Sequence, residues 1–254
     1  MGSVVDRMFL RPRKRTARAR VLCFPYAGGT ASAWNGLARA LPDDIDLCSF
    51  EPPGRQNRAA EPFATSVQEL VAPLFDAWDS IGDRPTVLVG YSLGSWVAFE
   101  LTRQLRDAGR RLPVALLLAA ARAPHEPRGA ALSTLDDEAF IAELRAMNGT
   151  PREVLEDADL MEYVLPRIRA DFALAERYLP AIAPPLPVPF SVLGGAHDRR
   201  TRPVHLQAWR TCCAAEFELS LLAGDHFFLH GHERAFSSRI ERSLAHVARL
   251  EELR

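Results

Sequence analysis

The stretch Gly90-Tyr91-Ser92-Leu93-Gly94 holds a serine in a setting that could make its hydroxyl reactive. A serine hydroxyl attacks carbonyl carbon only with help. It needs a neighbouring base, an acid to orient that base, and N–H donors for the negative oxygen that forms. The pentapeptide lies between an apolar run, Thr86-Val87-Leu88-Val89, and helix-like sequence, Trp96-Val97-Ala98-Phe99-Glu100-Leu101. Strand, Gly-x-Ser-x-Gly, then helix is the pattern of a nucleophile elbow, a tight turn that holds a serine proud of a sheet edge. Glycine is required on both sides because any Cβ there would clash where strand and helix approach. Ser92 is the expected nucleophile.

Base and acid must come from elsewhere in the chain. Of the seven histidines, His226 follows the run Glu216 to Leu222 and the turn Ala223-Gly224-Asp225, on a loop at a strand's C-terminal end. Groups that act on substrates collect at that edge of open α/β sheets. Asp198 has the same placement, in Gly194-Gly195-Ala196-His197-Asp198 just past the run Phe190 to Gly194. Ser92, Asp198, His226 is the chain order of α/β-hydrolases. The acid would fix the imidazole tautomer and stabilise the imidazolium. Asp225 is the second choice, because a residue adjacent to the base cannot easily reach round to its Nδ1. His230 and His232 fall in later helix-like sequence and are expected at the surface. The spacing of His226 and His230 lacks a third ligand for a metal. His125, His197, His205 and His246 lack comparable placement. For the oxyanion, one donor is expected to be the N–H of Leu93, and the other to come from the loop Phe24-Pro25-Tyr26-Ala27-Gly28-Gly29-Thr30. This loop has no Gly-x-x-x-x-Gly-Lys pattern, so phosphate binding is the weaker reading of it.

These groups need a sheet to hold them. Apolar runs at 20–24, 46–50, 86–91, 114–120, 190–194 and 216–222 are continuous rather than alternating, as in strands buried on both faces of a mainly parallel sheet. Helix-like stretches lie near 30–41, 65–79, 93–108 and 234–252, and the alternation reads as a doubly wound α/β fold. The rhythm breaks at 129–183, which reads as helices only. The first has a capped start at Thr134-Leu135-Asp136-Asp137 and a stop at Asn148-Gly149, a second short one begins at Pro151, and a third runs from Asp159 to Tyr178 with a kink or interruption at Pro166. A core of residues 1–128 and 184–254 with a helical lid of residues 129–183 is the expected organisation.

Composition excludes several function classes. At 48% hydrophobic and 25% charged residues the chain is an ordinary globular one, and its net charge of −1 gives no overall attraction to nucleic acid or membrane. No apolar run approaches the length needed to span a bilayer. Residues 1–20 are basic, with Lys14 the only lysine, but lack the apolar stretch of a secretory signal, so cytoplasmic residence is expected. Cys23, Cys48, Cys212 and Cys213 have no metal-like or framework spacing and are expected to be reduced and structural.

The series Phe24-Pro25-Tyr26-Ala27-Gly28-Gly29, Pro53-Gly54-Arg55, Gly90-Tyr91-Ser92-Leu93-Gly94, Asn148-Gly149-Thr150-Pro151, Gly194-Gly195-Ala196-His197-Asp198 and Asp225-His226-Phe227-Phe228 resembles the motifs of type II thioesterases over nearly the whole chain. These are stand-alone α/β-hydrolases that accompany polyketide synthases and non-ribosomal peptide synthetases. The resemblance implies hydrolysis of acyl groups from the phosphopantetheine arm of a carrier protein, with Ser92, Asp198 and His226 as triad and the N–H groups of Ala27 and Leu93 as oxyanion donors. It implies no cofactor, since phosphopantetheine belongs to the carrier, and a monomer whose partner is the acyl-loaded carrier rather than nucleic acid or membrane. Arg55, Arg58 and Arg122 are the arginines expected to meet an acidic carrier. The chain departs from the family in having Tyr91 where His is more usual, and Leu93-Gly94-Ser95 in place of Met-Gly-Ala. Two other readings use the same residues: a small-molecule carboxylesterase or lipase, and a non-catalytic binding module on the same fold.

Overall fold

The computed structural model describes residues 7–10, 16–127 and 129–252, the last six by backbone alone. Lys14, most of the basic N-terminal block and position 128 at the expected lid boundary lie outside the described residues. A two-residue strand β1 (Phe9–Leu10) precedes the six strands that the apolar runs form. These are β2 (Ala19–Phe24), β3 (Ile45–Phe50), β4 (Thr86–Tyr91), β5 (Ala115–Ala119), β6 (Phe190–Gly195) and β7 (Phe217–Leu222). Among the described residues they make one sheet in the order β1-β3-β2-β4-β5-β6-β7, parallel except for β1. Register brings the C-terminal ends level: Phe24 faces Gly90, Tyr91 faces Ala119, and Ala119 faces Leu193.

Continuous apolarity follows from burial on both faces. Leu22, Phe24, Phe50, Leu88, Leu116, Leu118 and Val192 pack on one side with helices α2 (Val67–Asp76) and α3 (Leu93–Asp107). Val21, Cys23, Leu47, Val87, Val89, Leu117 and Leu193 pack on the other with α1 (Asn35–Ala40) and α8 (Glu233–Glu252). Period-two alternation sends successive side chains to opposite layers, so both sets must be apolar. All four cysteines are free thiols.

Between β5 and β6 the described chain is helical: α4 (Asp137–Met147), α5 (Arg152–Glu156) and α6 (Ala158–Arg177). Asp136 caps α4 by accepting the Ala139 N–H at 2.8 Å, and Asn148 ends it in the left-handed region at φ 57°. These helices share an apolar cluster of their own, built on Phe140, Leu144, Leu155, Met161, Val164, Leu165 and Ile168. The kink or break expected at Pro166 is not an end: α6 runs through it. Proline removes one N–H from the ladder, while buried residues on both sides of it, Leu165 and Ile168, fasten the same helix face. The short helix α7 (Pro203–Gln207) and the 3-10 segment Ala208–Cys212 fall where the sequence shows no helical stretch, being too short to establish a 3.6-residue period.

Candidate active site

Ser92 sits between β4 and α3 at φ 51° and ψ −116°, a strained conformation for a residue with a side chain. Its N–H donates to the Ala119 carbonyl at 2.8 Å, which pins the turn to β5. The flanking glycines are sterically obligatory. A Cβ on Gly90 would lie 2.3 Å from the Gly94 carbonyl oxygen, and one on Gly94 would lie 2.0 Å from that of Phe24. Ser95, where the related motif has Ala, adds a fastening that the sequence did not announce. Its hydroxyl lies 2.9 Å from the Gly90 carbonyl and 3.0 Å from that of Ala119.

The structure brings Ser92, His226 and Asp198 together. His226 Nε2 is 3.3 Å from Ser92 Oγ, and its Nδ1 is 2.8 Å from Asp198 Oδ2. A carboxylate only accepts, so Nδ1 carries the proton and Nε2 is left to accept from the serine. The other Asp198 oxygen accepts the N–H groups of Arg200 at 2.8 Å and Thr201 at 3.0 Å. Burial pushes the Asp198 carboxyl up, but the hydrogen bond and charge of His226 and these two N–H groups outweigh it and hold it below the ordinary carboxylate range. Asp225 takes no part in this chain of bonds. It accepts from the Phe227 N–H at 2.9 Å and from the Asn148 side chain at 3.3 Å.

Tyr91 braces the loop that carries His226. Its hydroxyl donates to the His226 carbonyl at 2.6 Å, its ring packs against Phe228, and burial pushes its phenol pKa up, keeping it a donor. Leu93 begins α3, so its N–H has no acceptor within the helix. Ala27 lies in the loop after β2, and both residues line the same cavity as Ser92 and His226.

That cavity has a volume of about 1170 Å³ and lies between the sheet edge and α4–α6. Leu144, Met147, Val164, Ile168 and Phe172 give it apolar walls, and Arg199, Arg200 and Arg202 are exposed at its rim. Arg122, half-buried, also lines it. Arg55 and Arg58, by contrast, are no docking residues. They are 1% and 8% exposed and paired with Asp171 and Glu61, consumed by the interior of the fold. His230 is exposed as expected, but it lies in a turn before α8 rather than in a helix, and it lines the cavity. Among the described residues no cluster of His, Cys, Asp and Glu could hold a metal ion, and no helix is long and apolar enough to cross a membrane.

Residues 19–244 match the family model of the thioesterase domain. The chain is 37% identical over 230 residues to the gramicidin S biosynthesis protein GrsT of Aneurinibacillus migulanus, covering 90% of each chain. Of solved structures, BorB, the type II thioesterase of the borrelidin biosynthetic cluster, superposes with a TM-score of 0.85 at 36% identity, covering 94% of this chain and 98% of that one. YbtT, the type II thioesterase of the yersiniabactin pathway, gives 0.85 at 32% identity, covering 94% and 98%. The seven-stranded, mostly parallel sheet with helices on both faces is the α/β-hydrolase fold of these proteins. With its serine elbow at the sheet edge and this likeness along nearly its whole length, the chain belongs to the thioesterase family, among the type II thioesterases.

Proposed function

We propose that this protein hydrolyses acyl groups from the phosphopantetheine arm of a carrier protein through an acyl-Ser92 intermediate. The observation that carries the reading is the hydrogen-bonded series Ser92–His226–Asp198 opening onto a deep, apolar-walled cavity. Ser92 Oγ attacks the thioester carbonyl while His226 Nε2 takes its proton. The N–H groups of Leu93 and Ala27 stabilise the oxyanion, the C–S bond breaks, and the pantetheine thiol leaves with that proton. Water then attacks the acyl-enzyme, passing a proton to His226, and the free acid departs as Ser92 recovers its hydrogen. The reaction consumes only water, so the protein needs no cofactor of its own.

Residues 129–183 act as a lid on a core of residues 1–128 and 184–254, admitting a long thin arm while limiting bulk water. The cationic rim suits an anionic partner. Arg122 is pulled down by burial first and then by the charge of Arg200, with Arg202 adding to it against the opposing charges of Glu126 and Asp198. The enzyme works as a cytoplasmic monomer meeting an acidic carrier. The test is mass-spectrometric hydrolysis of a panel of acyl-loaded carriers, beside matching pantetheine thioesters and oxygen esters, with Ser92→Ala as control. Carriers should be unloaded fastest, and Ser92→Ala should lose several orders of magnitude in rate, on the order of 10⁵-fold. Fast oxygen-ester cleavage with inert carriers would make the enzyme a small-molecule esterase.

A further inference from the structure

The motif Pro53-Gly54-Arg55 takes no part in the serine chemistry, yet its arginine is wholly buried. Arg55 Nη1 donates to the Pro53 carbonyl at 2.7 Å, and Nη2 donates to Asp171 Oδ2 on α6. The same carboxylate oxygen accepts the backbone N–H of Gly28 at 2.6 Å. Gly28 belongs to the turn Tyr26-Ala27-Gly28-Gly29, closed by the Gly29 N–H donating to the Tyr26 carbonyl at 2.9 Å. With Gly28 at φ +76° and Ala27 outside the left-handed region, this is a type II turn. Rotating its central peptide by about half a turn gives the type I form, which exchanges the directions of the Ala27 C=O and the Gly28 N–H. A buried carboxylate on one side decides between the two, since it accepts the N–H and repels the C=O. The next stretch of the loop is fastened separately, by Glu51 Oε2 accepting the Ala31 N–H at 3.1 Å. Helix α6 also reaches this turn through Ile168, whose Cγ1 would lie 2.7 Å from a Cβ on Gly28.

We propose that Asp171, braced by Arg55, is a positioning residue for the oxyanion loop, so that seating of α6 sets the turn from which Ala27 donates. Resting on the serine-hydrolase reading above, it makes the insertion more than a cover: lifting α6 removes the acceptor of Gly28 and releases the turn. Hydrolysis is then coupled to closure, because a serine exposed to solvent under a raised helix lacks its second donor.

Steady-state kinetics on a short-chain acyl-pantetheine thioester test this, with amide exchange at Gly28 as a readout independent of turnover. Asp171→Ala should lower kcat about 100-fold, the effect of losing one oxyanion donor, with KM changed less than about threefold, and should remove protection at Gly28. Asp171→Asn keeps an acceptor oxygen and should recover kcat to within about tenfold of wild type. Arg55→Gln, which leaves the carboxylate in place but unbraced, should lower kcat in between with KM again unchanged. Wild-type kcat in Asp171→Ala, or a change in KM alone, overturns the proposal. So does an Asn variant as impaired as the Ala variant while Gly28 stays protected. If Asp171→Ala does not fold, Arg55→Gln decides, and wild-type kcat there is equally fatal. Ser92→Ala separates the two levels: retained turnover in it would sink the serine reading itself, whereas an inactive Ser92→Ala beside an unaffected Asp171→Ala sinks only the positioning role.

Discussion

Asp198 accepts His226 Nδ1–H on one oxygen and two backbone N–H groups on the other, and these hold it ionised below the ordinary carboxylate range. Its folded pKa therefore lies beneath the unfolded value of about 3.9. A group of that kind contributes stability above its unfolded pKa and loses it as pH falls through the folded value. Asp198→Asn should accordingly be less stable than wild type at neutral pH, with the gap narrowing below about pH 4. Urea denaturation repeated at falling pH measures this, and a gap constant across pH would show that the carboxylate's charge is not what stabilises. Turnover gives a second prediction. Asp198→Asn leaves the imidazole in the wrong tautomer and should lower kcat by about 10⁴. Asp225→Asn, whose side chain accepts from the Phe227 N–H and the Asn148 amide, should cost less than about tenfold, a hydrogen bond's worth. The reverse ranking would exchange their roles. Ser92, Asp198 and His226 were legible because each follows its own strand, a local signal. Asp171 was not, because it meets Gly28 across 143 positions of sequence, and no motif in one segment names its partner in the other.

At the scale of elements, the insertion is a separate packing unit with tethers. Its apolar cluster is distinct from the two layers on the sheet. Its far end is tied to α3 where the Tyr178 hydroxyl donates to buried Glu100 at 2.9 Å, while inside the insertion Glu176 accepts the Leu132 N–H at 2.7 Å. Phe140 lies at 0% exposure in the middle of that cluster, stacked edge-on against Phe172. Phe140→Ala should cost about 3–5 kcal/mol, and the loss should fall on the insertion before the sheet. Hydrogen exchange should then show lost protection across α4–α6 with β2–β5 unchanged, and KM for long acyl chains should rise. Uniform loss across both would mean that sheet and insertion open as one unit. Strands β2 to β6 were legible because burial on both faces writes largely apolar runs, whereas β7, at the sheet edge and only partly buried, showed through its leucines and its place before the Gly224 turn. Two-residue β1 and five-residue α7 were not, since neither is long enough to show a period. At Pro166, of the kink or interruption the sequence allows, the interruption does not occur: α6 runs through, held by packing of the helix on both sides.

For the molecule as a whole, a formal charge of −1 conceals an uneven surface. Arg199, Arg200 and Arg202 stand exposed at the cavity rim with Arg122 beside them, while among the described residues Glu143 approaches Arg200 at 3.9 Å and the charge of Glu126 acts on Arg122. His205 is pulled down by burial and then by Arg122 and Arg202, so the field of these cations reaches into the cavity wall. Exposed charges add little to stability in such an arrangement, whereas they act on partners over about a Debye length, roughly 8 Å at physiological salt. The docking reading therefore makes a differential prediction. The double variant Arg199→Glu with Arg202→Glu should raise KM for acyl-loaded carrier about tenfold or more, chiefly through slower association. Hydrolysis of the corresponding free pantetheine thioester should stay within about twofold of wild type, because neither side chain bonds to Ser92, His226 or Asp198. Wild-type kcat/KM on carrier should also fall steeply as salt is raised, and the variant's should not, because the charges that steer encounter are gone. Salt-insensitive turnover of loaded carrier by the wild-type enzyme, or an equal loss on free and carrier-bound thioester, would place the recognition of the carrier elsewhere on the molecule.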